Sequence, residues 1–205
     1  MSDCLADLAI GLPARRPTVV RQAGSLAAES AKLANIRFCI PCGKLTINEH
    51  YPREEGSTVA LRIFVLADTH NRLPEKVKEI AKDADEIWHL GDVCAETILD
   101  ELRAIGPRVT VVRGNCDSNF EWPLVIDLVR GGLKFRLQHV APEKPPDDVD
   151  VLLHGHTHVP RNERRGNVLF LNPGCVTRPN RGSPPSVAWL EIADGKIDWK
   201  MVPLR

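Results

Sequence analysis

Hydrophobic and polar positions follow two regimes that meet near residue 58. Upstream, no sustained period appears. The nearest to one is the Ala-rich stretch from Ala23 to Ala34, where Leu26, Ala27, Ala31, Leu33 and Ala34 outline a single thin helical stripe with little surface to pack. Downstream, Val59–Ala67 is a nearly continuous apolar run, the pattern of a strand buried on both faces. Pro74 then suits the first turn of a helix whose apolar positions are Val77, Ile80, Ala81 and Ala84. Glu86–Leu90 reads as a second strand. Residues 94–105 read as a second helix with Ile98, Leu102 and Ile105 on one face, capped by Gly106 and stopped by Pro107. Arg108–Arg113 is a third strand. This alternation predicts parallel pairing through right-handed crossovers. The remainder is strand-rich: a hairpin of 124–130 and 133–139 turning at Gly131-Gly132, then strands over 149–153, 167–171, 187–192 and 196–202, the last two joined at Asp194-Gly195. Two packed sheets with helices outside would bury these faces, an α/β architecture.

Composition narrows the function classes. Lys and Arg number 27, as do Asp and Glu, so there is no blanket attraction to nucleic acid or anionic lipid. No uncharged apolar stretch reaches the length of a membrane span, and the first residues lack the basic start of a secretory signal. Six cysteines are scattered without the framework of a small secreted protein and read as reduced thiols of a cytoplasmic one. Cys39-Ile-Pro-Cys42 has the spacing of a metal knuckle but lacks a second pair, so it reads as two incidental thiols.

The chemistry gathers where the predicted strands end. Asp68-Thr-His70 follows the first strand, Gly91-Asp92 the second and Gly114-Asn115 the third; His139 ends a later strand, and Gly155-His156-Thr-His158 follows the strand over 149–153. In an open α/β sheet the carboxyl ends of parallel strands are where ligands bind. Asp68 to Asp92 spans 24 positions and Asp92 to Asn115 spans 23, about one crossover unit each, so topology brings the three together. Three side-chain oxygens and four imidazoles suit Mn, Fe, Zn, Co or Ni better than Ca. Seven ligands exceed the need of one tetrahedral ion and fit two if a carboxylate bridges; Asp92, on the central strand, is the natural bridge. Only His50, His89 and His154 lie outside this set.

These motifs, with Gly114-Asn115-Cys116-Asp117 and Asn172-Pro173-Gly174, resemble the calcineurin-like metallophosphoesterase superfamily, in particular its small single-domain phosphodiesterases of bacteria and archaea. The resemblance covers residues 59–205. It implies a two-sheet β-sandwich flanked by helices in a four-layer αββα arrangement. It implies two divalent metal ions, manganese foremost: Asp68, His70 and His158 on the first, Asn115, His139 and His156 on the second, and Asp92 bridging. The catalytic positions it implies are Asp92, Asn115 and His156. The activity implied is that of a phosphodiesterase in which a metal-bridging hydroxide attacks phosphorus. The partner is then a small phosphodiester or phosphomonoester, with neither membrane nor nucleic acid called for, and relatives often form homo-oligomers. The alternative is a non-catalytic interaction scaffold on the same fold, as in a retromer subunit; the complete ligand set favours the enzyme.

Three departures follow. Cys116 stands where larger phosphatases carry the histidine proposed to assist the leaving group, so Asp117, His154 or metal-bound water inherits that role. Residues 141–148 form a Pro-rich turn where relatives often carry a helix, which predicts an open site. Val140 replaces the glycine that commonly follows His139. Asp117 and Asn172 are candidate hydrogen-bond partners of the ligand imidazoles, the four tryptophans read as core or subunit contacts, and Arg161, Arg164 and Arg165 as a solvated hairpin tip with reach to a phosphate. Residues 1–57 read as a poorly patterned extension and 58–205 as the metallophosphoesterase domain. Because pattern begins so abruptly, and because Glu54-Glu55-Gly56 can be encoded by a purine-rich run, translation is expected to begin at Val59 in the native cell.

Overall fold

The structure, a computed structural model, describes residues 60–204 and the backbone of two upstream strands, β1 (Asn35–Cys39) and β2 (Lys44–Asn48). The Ala-rich stretch, the Cys42 end of the knuckle motif and the start at Val59 fall outside the described residues. The remaining elements, in order, are β3 (Leu61–Leu66), α1 (Glu75–Ala81), β4 (Glu86–His89), α2 (Thr97–Arg103), β5 (Arg108–Val111), β6 (Val125–Arg130), β7 (Leu133–Gln138), β8 (Val151–Leu153), β9 (Arg161–Arg165), β10 (Val168–Asn172), β11 (Ser186–Ala193) and β12 (Lys196–Pro203).

They form two mixed sheets. One runs β12-β11-β3-β4-β5 and the other β1-β2-β6-β7-β8-β10-β9. Strands β3, β4 and β5 are parallel, as their crossover helices require. The apolar run of β3 is explained by burial on both sides. Ile63 and Val65 face the second sheet, against Phe135, Leu137 and Leu153, while Phe64 and Leu66 face Val77 of α1 and Ile98, Leu99 and Leu102 of α2. Each such side chain contributes roughly 1.5–3 kcal/mol relative to exposure. Trp88 packs edge-on against Phe135 at 5.5 Å between the sheets, and Trp189 against Phe64 at 5.2 Å. Trp122 and Trp199 are partly buried against the same core, so all four tryptophans serve packing.

Several boundaries differ from the sequence expectation. Helix α2 starts at Thr97 rather than 94, because Cys94 has φ of 68° and the left-handed conformation cannot continue a right-handed helix. It also ends earlier than expected, at Arg103 with Ala104 as its cap, and Gly106, at φ 118°, turns the chain two residues beyond the cap. Strand β9 was not expected: Arg161-Asn-Glu-Arg-Arg165 carries no apolar residue, and only backbone pairing with β10 makes it a strand. Strands β1 and β2 correct the expectation of no period upstream of residue 58: Ile36 and Phe38, and Leu45 and Ile47, alternate with polar neighbours, and β2 runs parallel to β6 and extends that sheet. Both helices pack on the β3–β5 sheet. On the other outer face a small cluster of Val149, Leu152, Val168 and Phe170 takes the helix's place, and the Pro-rich turn over 141–148 contains no helix.

Candidate metal centre

The loops leaving β3 and β4 are joined by their backbones before any side chain acts. Asp68 N–H donates to the Gly91 carbonyl at 3.0 Å and His70 N–H to the Asp92 carbonyl at 3.0 Å. Five of the seven candidate ligands sit in the left-handed region: Asp68, His70, Asp92, His156 and His158, with φ between 44° and 67°. Such conformations cost on the order of 1 kcal/mol or more each and cluster at functional sites. Two glycines permit the close approach. A Cβ on Gly91 (φ 92°) would lie 2.7 Å from His139 Nδ1, and one on Gly114 would overlap Asp92 Oδ1 and N.

The seven side chains converge in two groups that share Asp92. In the first, His158 Nε2 lies 3.2 Å from His70 Nε2 and 3.3 Å from Asp68 Oδ1, and His70 Nε2 is 4.0 Å from Asp92 Oδ2. In the second, Asn115 Oδ1 lies 3.0 Å from His139 Nε2 and 2.9 Å from His156 Nδ1, and His139 Nε2 is 3.3 Å from Asp92 Oδ1. The two carboxylate oxygens of Asp92 thus face different groups. Asp68 reaches toward both, its Oδ1 4.0 Å from His139 Nε2. His139, despite Val140 behind it, is buried at the middle of the cluster.

Electrostatics and tautomers show what the cluster lacks. The Nδ1 of His139 contacts the Leu90 carbonyl at 2.8 Å, and that of His158 the Arg178 carbonyl at 2.6 Å. A carbonyl only accepts, so both Nδ1 atoms carry hydrogen, and each neutral ring turns an Nε2 lone pair toward carboxylate and amide oxygens. Asp68 Oδ1 is buried with no hydrogen-bond partner. Lone pairs facing lone pairs call for a cation between them, and the N/O donor set suits a first-row divalent metal; the residues fit such an ion. The shifts agree. Burial pushes the Asp68 carboxyl up to about 6 and pushes His70 down. Burial opposes charge on His139, but Asp92 and the Leu90 carbonyl outweigh it and hold the ring above its ordinary value. Burial would likewise raise Asp92; a hydrogen bond from the His139 ring in its protonated form and one from the Cys116 N–H overcome it and hold the carboxyl well below the usual range.

Other residues take roles that differ from expectation. Asp117 touches no imidazole. It accepts backbone N–H groups from Asp92, Cys94 and Gly114 at 2.7–3.0 Å and so ties the loops after β4 and β5 together. Asn172 donates to the Gly155 carbonyl at 2.9 Å and to Thr157 Oγ1 at 3.2 Å, bracing the His156–His158 loop rather than a ring of that loop. His154 is buried beneath the centre, with Nδ1 3.0 Å from the Gly155 carbonyl and Nε2 3.4 Å from Arg161 Nη1. Asp117 and His154, both engaged, are poorly placed to protonate a leaving group. The Cys116 thiol is pushed up to about 11 by burial and by Asp92, so it is no thiolate near neutral pH. Two features went unforeseen: the ring-orienting partners are main-chain carbonyls, and Cys116 and Cys175 each bring a sulfur within 4.8 Å of candidate ligand atoms. Cys116 lies inside one motif and Cys175 directly follows another, Asn172-Pro173-Gly174, which could have flagged them; carbonyls leave no mark in a sequence.

The family model of the calcineurin-like phosphoesterase superfamily domain matches residues 61–195. Phosphodiesterase YfcE of Escherichia coli strain K12 is 30% identical over 162 residues, covering 64% of this chain and 88% of the relative. A solved structure of YfcE, described as a phosphoesterase, superposes with a TM-score of 0.57 at 27% identity, covering 70% of this chain and 100% of that one. A probable metallophosphoesterase of Methanothermobacter thermautotrophicus is 32% identical over 161 residues, covering 68% of this chain and 91% of the relative. Vps29 of Chaetomium thermophilum has the same fold, with a TM-score of 0.58 at 22% identity, covering 71% of this chain and 97% of that one.

Proposed function

Because the chain belongs to the calcineurin-like phosphoesterase superfamily, we propose that it is a metal-dependent hydrolase of small phosphodiesters that works with two divalent ions, manganese foremost. Asp68, His70 and His158 would hold one ion, Asn115, His139 and His156 the other, and Asp92 would bridge them. The observation that carries this reading is the division of Asp92, with Oδ1 toward His139 and Oδ2 toward His70. Ions bound there supply Lewis-acid chemistry, polarising a water and the phosphoryl oxygens of the ester. The chain's own part is orientation. The Leu90 and Arg178 carbonyls fix two rings, Asp117 fixes two loops, and the Cys116 N–H holds Asp92 Oδ1 at 2.8 Å. Among the described residues no side chain is poised as a nucleophile, and with Asp117 and His154 engaged, solvent protonates the leaving group.

An interaction scaffold is the second reading, favoured only by the fold shared with Vps29. A scaffold gives no account of a buried, unpartnered Asp68 oxygen beneath a full set of donors. Unpaired thiols at Cys94, Cys116 and Cys175 support a reducing, cytoplasmic setting, and no helix among the described residues is long and apolar enough to cross a membrane.

Elemental analysis of the purified protein, paired with hydrolysis of bis(4-nitrophenyl) phosphate in added Mn²⁺, tests the proposal. Chelation should abolish the rate. Asp92→Asn should lower metal content and cut the rate about 100-fold or more, since one carboxylate serves both groups. Wild-type metal content and rate in that variant would sink the assignment.

A further inference from the structure

A cavity of about 430 Å³ adjoins the candidate centre and shares His156 with it. Its wall is otherwise made by His154 and Thr157, by the segment Val159 to Arg161 that leads into β9, and by Asn180 and Arg181. Two guanidinium groups, Arg161 and Arg181, line it together with Asn180 and the apolar Val159 and Pro160; no carboxylate does.

Arg161 is held before any ligand arrives. Its guanidinium lies over the Phe170 ring at 4.5 Å. Nε and Nη2 donate to Glu163 Oε2 at 2.8 and 2.5 Å, and Nη1 points at His154 Nε2 at 3.4 Å. An arginine always donates, so His154 Nε2 is the acceptor and its Nδ1 bears the hydrogen that the Gly155 carbonyl receives. Three of the five guanidinium hydrogens are thereby engaged, and two remain for a ligand. Arg181, exposed at φ 50°, has no carboxylate partner among the described residues. Its loop is anchored to the centre: Asn180 N–H donates to the His158 carbonyl at 3.2 Å, and Arg178 gives its carbonyl to His158 Nδ1. One fixed and one unpaired guanidinium, facing a space without acid, form a receptor for an oxyanion.

We propose that this cavity is a second anion site, where Arg161 and Arg181 hold a phosphate on the far arm of a substrate whose ester bond lies at the neighbouring centre. The proposal deepens the phosphoesterase reading and rests on it for the position of the ester. It predicts that the preferred substrates carry two phosphate groups joined by a short organic linker, whose carbon atoms lie against Val159 and Pro160.

Calorimetric titration of the Mn²⁺-loaded full chain tests it with three ligands that share a three-carbon arm: propane-1,3-diol bisphosphate, 3-(phosphonooxy)propanoate and propyl phosphate. The bisphosphate should bind about tenfold tighter than propyl phosphate, the gain of a charge-assisted arginine pair. The ratio should fall toward one in Arg181→Ala and in Arg161→Gln. A carboxylate arm that matches the bisphosphate would overturn the choice of phosphate. Equal binding of all three by the wild type, or a ratio unchanged in both variants, would overturn the site. Hydrolysis of bis(4-nitrophenyl) phosphate, measured in parallel, separates the two readings: no turnover with the ratio intact defeats the enzyme and spares the anion site, while turnover with no ratio does the reverse.

Discussion

His89 carries its burial alone. Its Nε2 lies 3.1 Å from Thr69 Oγ1 and its Nδ1 has no partner, which marks a neutral ring with one N–H. Burial, aided by the charge of His139, pushes it down to about 3. Since the folded state resists the proton, the unfolded chain takes it first as pH falls below about 6.5. Stability due to this group is therefore whole above that point and declines down to about pH 3. Between pH 7 and 3.5 the loss should reach about 4 kcal/mol. Urea unfolding of wild type and His89→Gln across that range checks this: the difference between the two should shift steadily toward the variant, and a difference that ignores pH would show that the ring is not held neutral. The seven candidates were legible as polar residues at predicted strand ends, and the crossover pitch speaks for three of them, Asp68, Asp92 and Asn115. The partners of their rings were not. A carbonyl belongs to every residue, so nothing distinguishes Leu90 or Arg178 in the sequence.

The short loops after β4 and β5 meet where Gly114 backs onto Asp92. A methyl group at Gly114 would overlap Asp92 Oδ1 and N, so the loops must part. Gly114→Ala should destabilise the protein by on the order of 1–3 kcal/mol, the usual range for overpacking, and should lower metal content as Asp92 moves off its Cys116 N–H. Thermal unfolding with elemental analysis checks both; full metal occupancy in a destabilised variant would separate packing from ligand geometry. The strands and helices from β3 to β8 are legible in the sequence as elements because packing writes their apolar periods, though not their bounds. Strand β9 escaped because an edge strand whose residues are half or fully exposed has only its backbone to hold it, and β1 and β2 escaped because each offers only two apolar residues, Ile36 and Phe38, Leu45 and Ile47, in alternation too short to stand out. The start of α2 shifted because a left-handed Cys94 is invisible to hydrophobic spacing.

The two sheets are joined by more than apolar contact. Arg130 of β6 meets Glu86 of β4 at 2.6 Å, with both side chains almost wholly buried, and Trp88 Nε1 donates to the same carboxylate at 2.9 Å. Glu86→Gln keeps an acceptor for Trp88 but takes the buried carboxylate away from Arg130, so it should cost about 3 kcal/mol. Arg130→Met made in the same chain should restore part of that loss, and a double-mutant cycle in urea measures the coupling. Additive losses would mean that the pair does not clamp the sheets. The rings of His139 and His158 depend on the whole molecule in another sense. Their tautomers are dictated by main-chain oxygens, which no point mutation can delete. Proton placement at the centre is thus a birthright of the topology: neighbouring side chains can drift through many generations, and each ring will still offer the same nitrogen.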